Sequence, residues 1–169
     1  MATQVQAIYE KRGTSKTFVN TGGDKLINLK ALAQVTGRLS AFVDRGVNAA
    51  PEYYEVRAYC KWEATVTLNE VMYVYLCQSD GTHTDAGLTF HETNDGALTL
   101  AQCSNLAFVG GVIADTADEL EHGATFVVRV TSRYFAIGIY NGSAAKDLLN
   151  SDGASAIVAT PIYPITVVE

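Results

Sequence analysis

One stretch of the chain concentrates side chains that could bind a metal ion. Two histidines, His83 and His91, and two aspartates, Asp85 and Asp95, follow Asp80 in a segment rich in turn residues. Imidazole nitrogens and carboxylate oxygens are common metal ligands. The spacing matches neither an EF-hand nor an HxH or HExxH pattern, and turns collect Asp, Thr and His for their own hydrogen bonds. The sequence therefore predicts no metal site here, and it predicts no cofactor.

Candidates for catalytic chemistry are equally few. The third histidine, His122, lies in a loop-like segment, and the chain has no GxSxG motif, no suggested Cys–His pairing and no phosphate-binding glycine loop. Carboxylates for glycoside cleavage would have to meet in space. Asp118, Glu119 and Glu121 are explained more simply as a solvated acidic loop. We therefore expect that the protein is not an enzyme.

Aromatic side chains offer a different chemistry, because they can bind sugars or protein partners. Tyr59, Tyr73 and Tyr75 are predicted to lie on the polar face of two long strands, where they could form an exposed aromatic patch that binds sugars. The alternative, which we favour, is that this face packs against a second sheet or a neighbouring subunit. The single tryptophan, Trp62, falls on the apolar face and is predicted to anchor the core.

Two amphipathic strands must position these tyrosines. In the run YYEVRAYCKWEA, residues 53–64, apolar and polar side chains alternate, which indicates a strand with one buried and one solvent-facing side. The run VMYVYLC, residues 71–77, repeats the pattern, and the two are predicted to pair as an antiparallel hairpin. A third apolar run, LAFVGGVI, contains Gly110 and Gly111, which predict a bulge or a close approach of the backbone.

The spacing of the strands indicates the fold class. About eight strands follow one another at regular intervals, with no convincing helix. We expect an all-β fold, an antiparallel β-sandwich of jelly-roll type that spans residues 37–169. Twelve residues are predicted to lie mostly inside it, and they are Tyr54, Val56, Ala58, Cys60, Trp62, Val74, Leu76, Phe126, Val128, Phe135, Ile137 and Ile139.

Residues 1–36 are predicted to form an extended N-terminal arm. Their apolar residues recur at no regular spacing and stand isolated among glycines and small polar residues. Residues 1–35 hold five basic and two acidic residues, whereas the rest of the chain holds seven basic and sixteen acidic ones. Such an arm can bind an acidic surface of its own chain or of a neighbour. The predicted anchors are Ile8, Tyr9, Phe18, Val19 and Leu26. The alternative is that the segment forms ordinary edge strands of the same domain.

Charge and hydropathy also limit the expected partners. The net charge is −6 and the basic residues are scattered, so we expect no nucleic-acid partner. No apolar run approaches the length of a membrane span, and the N-terminus lacks the layout of a signal peptide. We therefore expect no membrane partner and synthesis in a cytosol, where the chain stays or is assembled into something larger.

Several short signatures follow one another along the chain. They are the strand beginning GRLS, the strands YEVRAYCKW and YVYLCQSDGT, the run FVGGV, and an ending in which an RY strand leads through an Asn-Gly turn to PIY. Together they resemble a family of virion proteins of tailed bacteriophages. Their order resembles that of the family, and the resemblance covers roughly residues 25–168. The cysteines and the His-rich loop depart from the family's pattern.

This resemblance implies a jelly-roll decoration protein, also called a cement protein, on the outer surface of the phage capsid. It implies that the partners are the major capsid protein and further copies of the chain, with a homotrimer favoured. It carries no catalytic residues over to this sequence. The alternative function is a carbohydrate-binding or host-recognition module of a tail fibre or another tail component.

Overall fold

The structure is a computed structural model, and it describes residues 7–46, 51–63, 66–115 and 120–167. Strands make up 48% of it and helix 3%, which confirms the predicted all-β sandwich. The described elements are β1 (Ala7–Arg12), β2 (Lys16–Val19), β3 (Lys25–Leu26), β4 (Thr36–Leu39), β5 (Val43–Asp44), β6 (Tyr53–Cys60), β7 (Val71–Ser79), β8 (Gly96–Leu98), α1 (Leu100–Cys103), β9 (Ala107–Ile113), β10 (His122–Arg129), β11 (Tyr134–Asn141) and β12 (Ala156–Val167). No helix in these ranges is long and apolar enough to cross a membrane.

The strands form two sheets. The first sheet has the order β10–β6–β12–β2–β3, with β1 also paired to β12, and the second has the order β8–β4–β11–β7–β9, with β5 also paired to β11. The pairs are antiparallel except for β2 with β3. We count β1 with β2 as one strand, count β4 with β5 as another, and set the short β3 and β8 aside. Numbered in chain order, the eight principal strands are then β1 with β2, β4 with β5, β6, β7, β9, β10, β11 and β12. Their orders in the two sheets are 1-8-3-6 and 2-7-4-5, which is the strand order of a jelly roll.

The main core lies between the two sheets. Along β6, buried residues alternate with exposed or half-buried ones, as the period of a strand requires. Of the twelve predicted core residues, eleven are buried, and Phe126 is partly buried against the same cluster. The predicted anchor Trp62 is among the largest fully buried side chains. Alternation therefore identified the inward-facing residues correctly.

The predicted hairpin between the two amphipathic strands is wrong. β6 lies in the first sheet between β10 and β12, whereas β7 lies in the second sheet between β9 and β11. The chain between them crosses from one sheet to the other. Both strands bury one face in the same core, but they do so from opposite sides. Alternation shows which residues of a strand face the core and does not show which sheet the strand joins.

A second layer of apolar side chains covers the outer face of the second sheet. All eight residues of β11 are buried, so this strand has no solvent-facing side. The cover comes from residues 80–106, which include α1. The helix begins with a capping box in which the side chains of Thr99 and Gln102 each accept a hydrogen bond from the other's backbone N–H. The buried residues of this outer cluster are Leu39, Phe42, Cys77, Leu98, Cys103, Leu106, Tyr134, Ala136 and Tyr140.

Residues 16–32 belong to the sandwich rather than to an arm that leaves it. β2 pairs with β12, and Phe18 is fully buried. Ile27, Leu29 and Leu32 are buried in the same core. The predicted boundary between arm and sandwich is therefore wrong, and the edge-strand alternative describes this segment. Each isolated apolar residue adds one side chain to the core from a short strand or loop, which leaves no periodic signal.

β1 and the C-terminal half of β12 form a two-stranded ribbon at the end of the first sheet. β12 pairs with β6 as far as Ile162, and beyond that residue its described partner is β1. The register places Ile8 opposite Thr166 and Tyr9 opposite Ile165. These two predicted anchors therefore lie on the ribbon, with side chains outside the described part of the structure. A two-stranded unit alone is marginally stable at best.

Candidate interaction surface

Two of the three predicted tyrosines lie together on the outer face of the second sheet. Tyr73 and Tyr75 alternate along β7, and both are half-buried. Phe108 of β9 pairs with Tyr75, and its ring centroid lies 5.7 Å from that of Tyr75 and 6.2 Å from that of Tyr73. Val71 and Ile113, which pair with each other, continue this face toward the end of the sheet. We call these five residues the Phe108 patch.

The Phe108 patch exposes apolar surface to solvent. Phe108 is 61% exposed and Ile113 is 54% exposed. Leu68 is 51% exposed, and a hydrogen bond from the backbone N–H of its neighbour Asn69 to the carbonyl of Ala114 holds this segment at the end of β9. No patch residue carries a charge. Exposed apolar residues grouped in this way are typical of interaction sites, whereas single ones are ordinary surface features.

A β-bulge turns Phe108 toward solvent. The register between β7 and β9 shifts between Val74 and Tyr75, so Val109 stands opposite no residue of β7. Under strict alternation Phe108 would face the core, as Val112 does. The extra residue instead packs Val109 against the core and leaves Phe108 on the outer face. The bulge predicted from the glycine pair is confirmed, and it lies immediately before that pair.

Glycines let the backbone approach two aromatic rings closely. A Cβ atom at Gly142 would lie 2.3 Å from Cε2 of Tyr73 and 2.9 Å from the carbonyl oxygen of Val71. A Cβ atom at Gly110 would lie 2.2 Å from Cε1 of Phe126 in β10. A larger residue at either position would have to displace a ring. The two glycines therefore leave room for the Tyr73 ring in the patch and for the Phe126 ring between β9 and β10.

Tyr59 does not belong to this patch. It lies half-buried in β6, opposite Gly123 of β10, in the first sheet. The predicted patch of Tyr59, Tyr73 and Tyr75 is therefore wrong as a unit, because its members lie in different sheets. Phe108 was missed because the bulge shifts the alternation of β9. The glycine pair is the sequence signal that could have revealed it.

The predicted arm anchors do not form a common surface with the patch. Phe18 is fully buried in the core and cannot reach a partner without unfolding its strand. Val19 and Leu26 are half-buried and pair with each other through β2 and β3. Ile8 and Tyr9 lie on the ribbon at the end of the first sheet. These residues belong to the first sheet, whereas the Phe108 patch lies on the second.

The carboxylates of the turn-rich segment stabilise its backbone. Asp80 accepts hydrogen bonds from the backbone N–H groups of His83 and Thr82, both at 2.7 Å, and these bonds lower its pKa to about 2. Asp85 accepts a hydrogen bond from the backbone N–H of Gln78 at 2.8 Å. Within the described ranges, no group of three or more His, Cys, Asp or Glu side chains is placed to hold a metal ion.

His122 is buried beside Trp62. Its Nδ1 lies 2.9 Å from Oδ1 of Asp115, the His122 and Trp62 ring centroids are 5.4 Å apart, and Nε2 has no hydrogen-bond partner among the described residues. Cys60 stands opposite His122 in the strand register. Burial raises the pKa of the Cys60 thiol. Since the thiolate is the nucleophilic form, Cys60 and His122 do not make an activated nucleophile.

Comparisons with known proteins do not assign this chain to a family. No protein-family model matches this chain, and no curated protein is significantly similar to it. The function is therefore inferred from the Phe108 patch, the strand order and the short sequence signatures.

Proposed function

We propose that the protein is a non-enzymatic structural component of a tailed-phage particle, which decorates the outer surface of the capsid and stabilises it by binding the major capsid protein lattice. The observation that carries this proposal is the Phe108 patch, an uncharged apolar surface on a well-packed sandwich. Such a surface gains free energy when protein covers it. The resemblance of the short sequence signatures to those of virion proteins supports a phage particle as the setting, and the jelly roll, a fold found in viral capsid domains, agrees with it by analogy.

The sandwich suits a structural role because it presents the patch on a rigid base. The inward-facing neighbours of the patch residues, Met72, Val74 and Val112, are completely buried. β11, the strand next to β7, is buried on both faces. A partner therefore meets a preformed surface, and little conformational entropy is lost on binding.

The small size of the patch favours contacts that are individually weak but that together hold the protein strongly when many copies bind. Burying one exposed Phe or Ile side chain completely is worth about 1.5–3 kcal/mol. The patch has two strongly exposed side chains of this kind, so one contact alone gives modest affinity. Many copies on one capsid, joined to one another as the predicted homotrimer or in another oligomer, would be retained through multivalency.

Binding to capsids tests this proposal. The full-length protein is mixed with phage particles that lack it, and the particles are collected by centrifugation. We expect the protein to sediment with the particles and to saturate at a fixed ratio to the major capsid protein. Protein that stays in the supernatant at saturating concentrations would overturn the proposal.

The aromatic residues favour a second candidate, a carbohydrate-binding module of a tail fibre or another host-recognition component. Sugars stack on flat aromatic faces, but the Phe108 ring is inclined by 60° to Tyr73 and by 61° to Tyr75. The three rings therefore share no plane, which favours a protein partner. Glycan-array binding by the wild type that is lost in Tyr73→Ala would support this second candidate instead.

A further inference from the structure

We infer that the free edge of β10 pairs with the same edge of a second copy of this chain, so that the first sheets of two copies join into one continuous sheet. β10 ends the first sheet, and β6 is its one partner strand among the described residues. Antiparallel pairing of a strand with its own copy has twofold symmetry and joins copies in pairs. A threefold contact, as in the predicted homotrimer, would require a different surface.

The backbone of β10 presents hydrogen-bonding groups along this edge. The backbone N–H of Val130 donates to the carbonyl oxygen of Glu52 at 2.7 Å, so these two residues form a hydrogen-bonded pair. Such pairs alternate along an antiparallel ladder, so the N–H and C=O groups of Gly123, Thr125 and Val127 point away from β6. β9 packs nearby but ends the second sheet and forms no ladder with β10. A further strand can therefore bond these groups.

β10 lacks the features that keep an edge strand from pairing with another chain. Among the other strands at the ends of the two sheets, β3 and β8 have only two and three residues, and β9 carries the bulge. β10 has eight residues, no proline, no lysine and no shift in its register with β6. Its inward-facing Ala124 and Phe126 are only partly buried, so the core is incompletely covered at this edge. An open edge of this length is a template for pairing.

The sequence of β10 is complementary to itself in the antiparallel direction. With the twofold axis at Thr125, this residue stands opposite Thr125 of the second copy, and Thr–Thr pairs across strands are favourable. Gly123 then stands opposite Val127 of the other copy, and Ala124 stands opposite Phe126, so each larger side chain meets a small one. In this register the backbone groups that point away from β6 face each other, as a ladder requires.

Charge complementarity favours the same register. Glu121, just before β10, and Arg129, at its end, are both exposed, and each stands opposite the other residue of the second copy. Arg129 bonds Glu52 through Nε and Nη2, and further N–H donors of its guanidinium remain for a second carboxylate. Asp115, whose side chain is 84% exposed and lies 2.9 Å from Nδ1 of His122, adds negative charge at the Glu121 end. A second copy supplies this order of charges and side-chain sizes, whereas a strand of arbitrary sequence does not.

This contact leaves the Phe108 patch free. Opposite residues of an antiparallel pair point to the same face, so the twofold axis is perpendicular to the joined sheet. The second sheets of the two copies then lie on the same side of the joined sheet, and both patches face the same way. A dimer could therefore contact one surface through two patches, which increases retention through multivalency.

Charge variants at Thr125 test the inference by sedimentation equilibrium of the full chain. We expect the wild type to form a reversible dimer. Thr125→Lys and Thr125→Glu each place like charges opposite each other, so each should raise the dissociation constant at least about tenfold, and an equimolar mixture of the two should restore association. Phe108→Ser is the control, because Phe108 lies on the other sheet, and it should change the constant less than about twofold.

Three outcomes would overturn the inference. They are a wild type that stays monomeric up to about 100 µM, a Thr125→Lys protein that associates as the wild type does, and a mixture of the charge variants that associates no better than each variant alone. Circular dichroism checks that every variant is folded. These measurements use no phage particle, so a failure here is distinct from a failure of the particle-binding test.

Disulfide formation tests the register with variants that add no charge. The native cysteines Cys60, Cys77 and Cys103 are all buried, so a cysteine introduced on β10 supplies the one exposed thiol. Thr125→Cys places the two Cα atoms about 5.5 Å apart, within the range of a disulfide. In Val127→Cys they are about 14 Å apart, since a strand rises about 3.4 Å per residue. Under mild oxidation we expect covalent dimers to form much faster in Thr125→Cys. Equal rates for the two variants would contradict the inferred pairing.

Discussion

At the scale of single residues, Asn141 joins three parts of the chain. Its Oδ1 accepts hydrogen bonds from Nε1 of Trp62 and from the backbone N–H of Ser143, both at 3.2 Å. Its Nδ2 donates to the carbonyl oxygens of Leu32 at 3.2 Å and Lys146 at 2.9 Å. The side chain is fully buried, and all four of its hydrogen-bonding positions are used. Asn141 therefore connects β11, the crossing after β6 and the segment before β4.

We expect Asn141→Ala to destabilise the fold strongly. The change leaves the Trp62 N–H and the Leu32 carbonyl without their partner, and each buried unsatisfied group costs about 1–3 kcal/mol. The free energy of unfolding should fall by at least about 2 kcal/mol, measured by urea unfolding with the fluorescence of Trp62. Asn20→Ala is the control, because it removes one exposed hydrogen bond to Asp152. Equal losses in the two variants would contradict the role assigned to Asn141.

Asp44 makes stability depend on acid pH. Hydrogen bonds from Arg133 and then from the backbone N–H of Gly46 lower the Asp44 pKa from 3.8 to about 2. A lowered pKa means that this contribution to stability is complete above pH 3.8 and is lost as the pH falls toward 2. Thermal melts should therefore show a smaller fall in Tm over this interval for Asp44→Asn than for the wild type. A difference in Tm between the two proteins that stays constant with pH would refute this assignment.

At the scale of elements, the sequence predicted which segments are strands and which of their residues face the core. It predicted less well which strands pair with each other. The alternation in β6 and β7 identified Val56 and Val74 as core residues, because burial of every second residue is a local property. Pairing partners are set by contacts between distant parts of the chain, and local alternation carries no information about them. This is why Tyr59 was grouped with Tyr73 although the two lie in different sheets. The bulge at Val109 likewise shifts which residues of β9 face the core, and alternation alone does not show this shift.

Two truncations distinguish the contribution of the ribbon to stability from that of the first strand of the sandwich, β2. Removing residues 2–12 deletes β1, whose one partner strand among the described residues is β12, so we expect a folded protein of slightly lower stability. Removing residues 2–22 also deletes β2 and Phe18, whose ring lies 6.5 Å from that of Phe135 in the core. Loss of one buried Phe side chain costs about 3–5 kcal/mol, which is comparable with the whole stability of a marginal domain.

We therefore expect the longer truncation to be unfolded, as judged by circular dichroism and urea unfolding. The shorter truncation is its control, because it removes the same end of the chain and leaves β2 and the buried Phe18 in place. If both proteins fold with the stability of the full chain, residues 16–32 act as a separable arm and the description of the first sheet is wrong.

At the scale of the whole molecule, basic residues of the N-terminal segment form ion pairs with acidic residues of the rest of the chain. Arg12 pairs with Glu55, and Lys30 lies 3.5 Å from Asp152. The basic N-terminal segment thus lies on the acidic body of its own chain, one of the two possibilities that the charge pattern left open. Exposed pairs of this kind contribute about 0–1 kcal/mol each, so apolar burial, above all of Phe18, dominates the attachment of the segment.

The proposed function depends on where many copies of the molecule are found. A jelly roll supports many functions, so the fold alone does not identify one. The proposal of assembly on a capsid rests on the Phe108 patch and the sequence signatures together. On the proposed function a tailed phage encodes this chain, and the most direct test is quantitative mass spectrometry of that phage's purified particles, combined with electron microscopy of their heads. We predict many copies in a fixed ratio to the major capsid protein, placed regularly on the head lattice. Absence from the particle, or a few copies at the tail tip, would contradict the proposal.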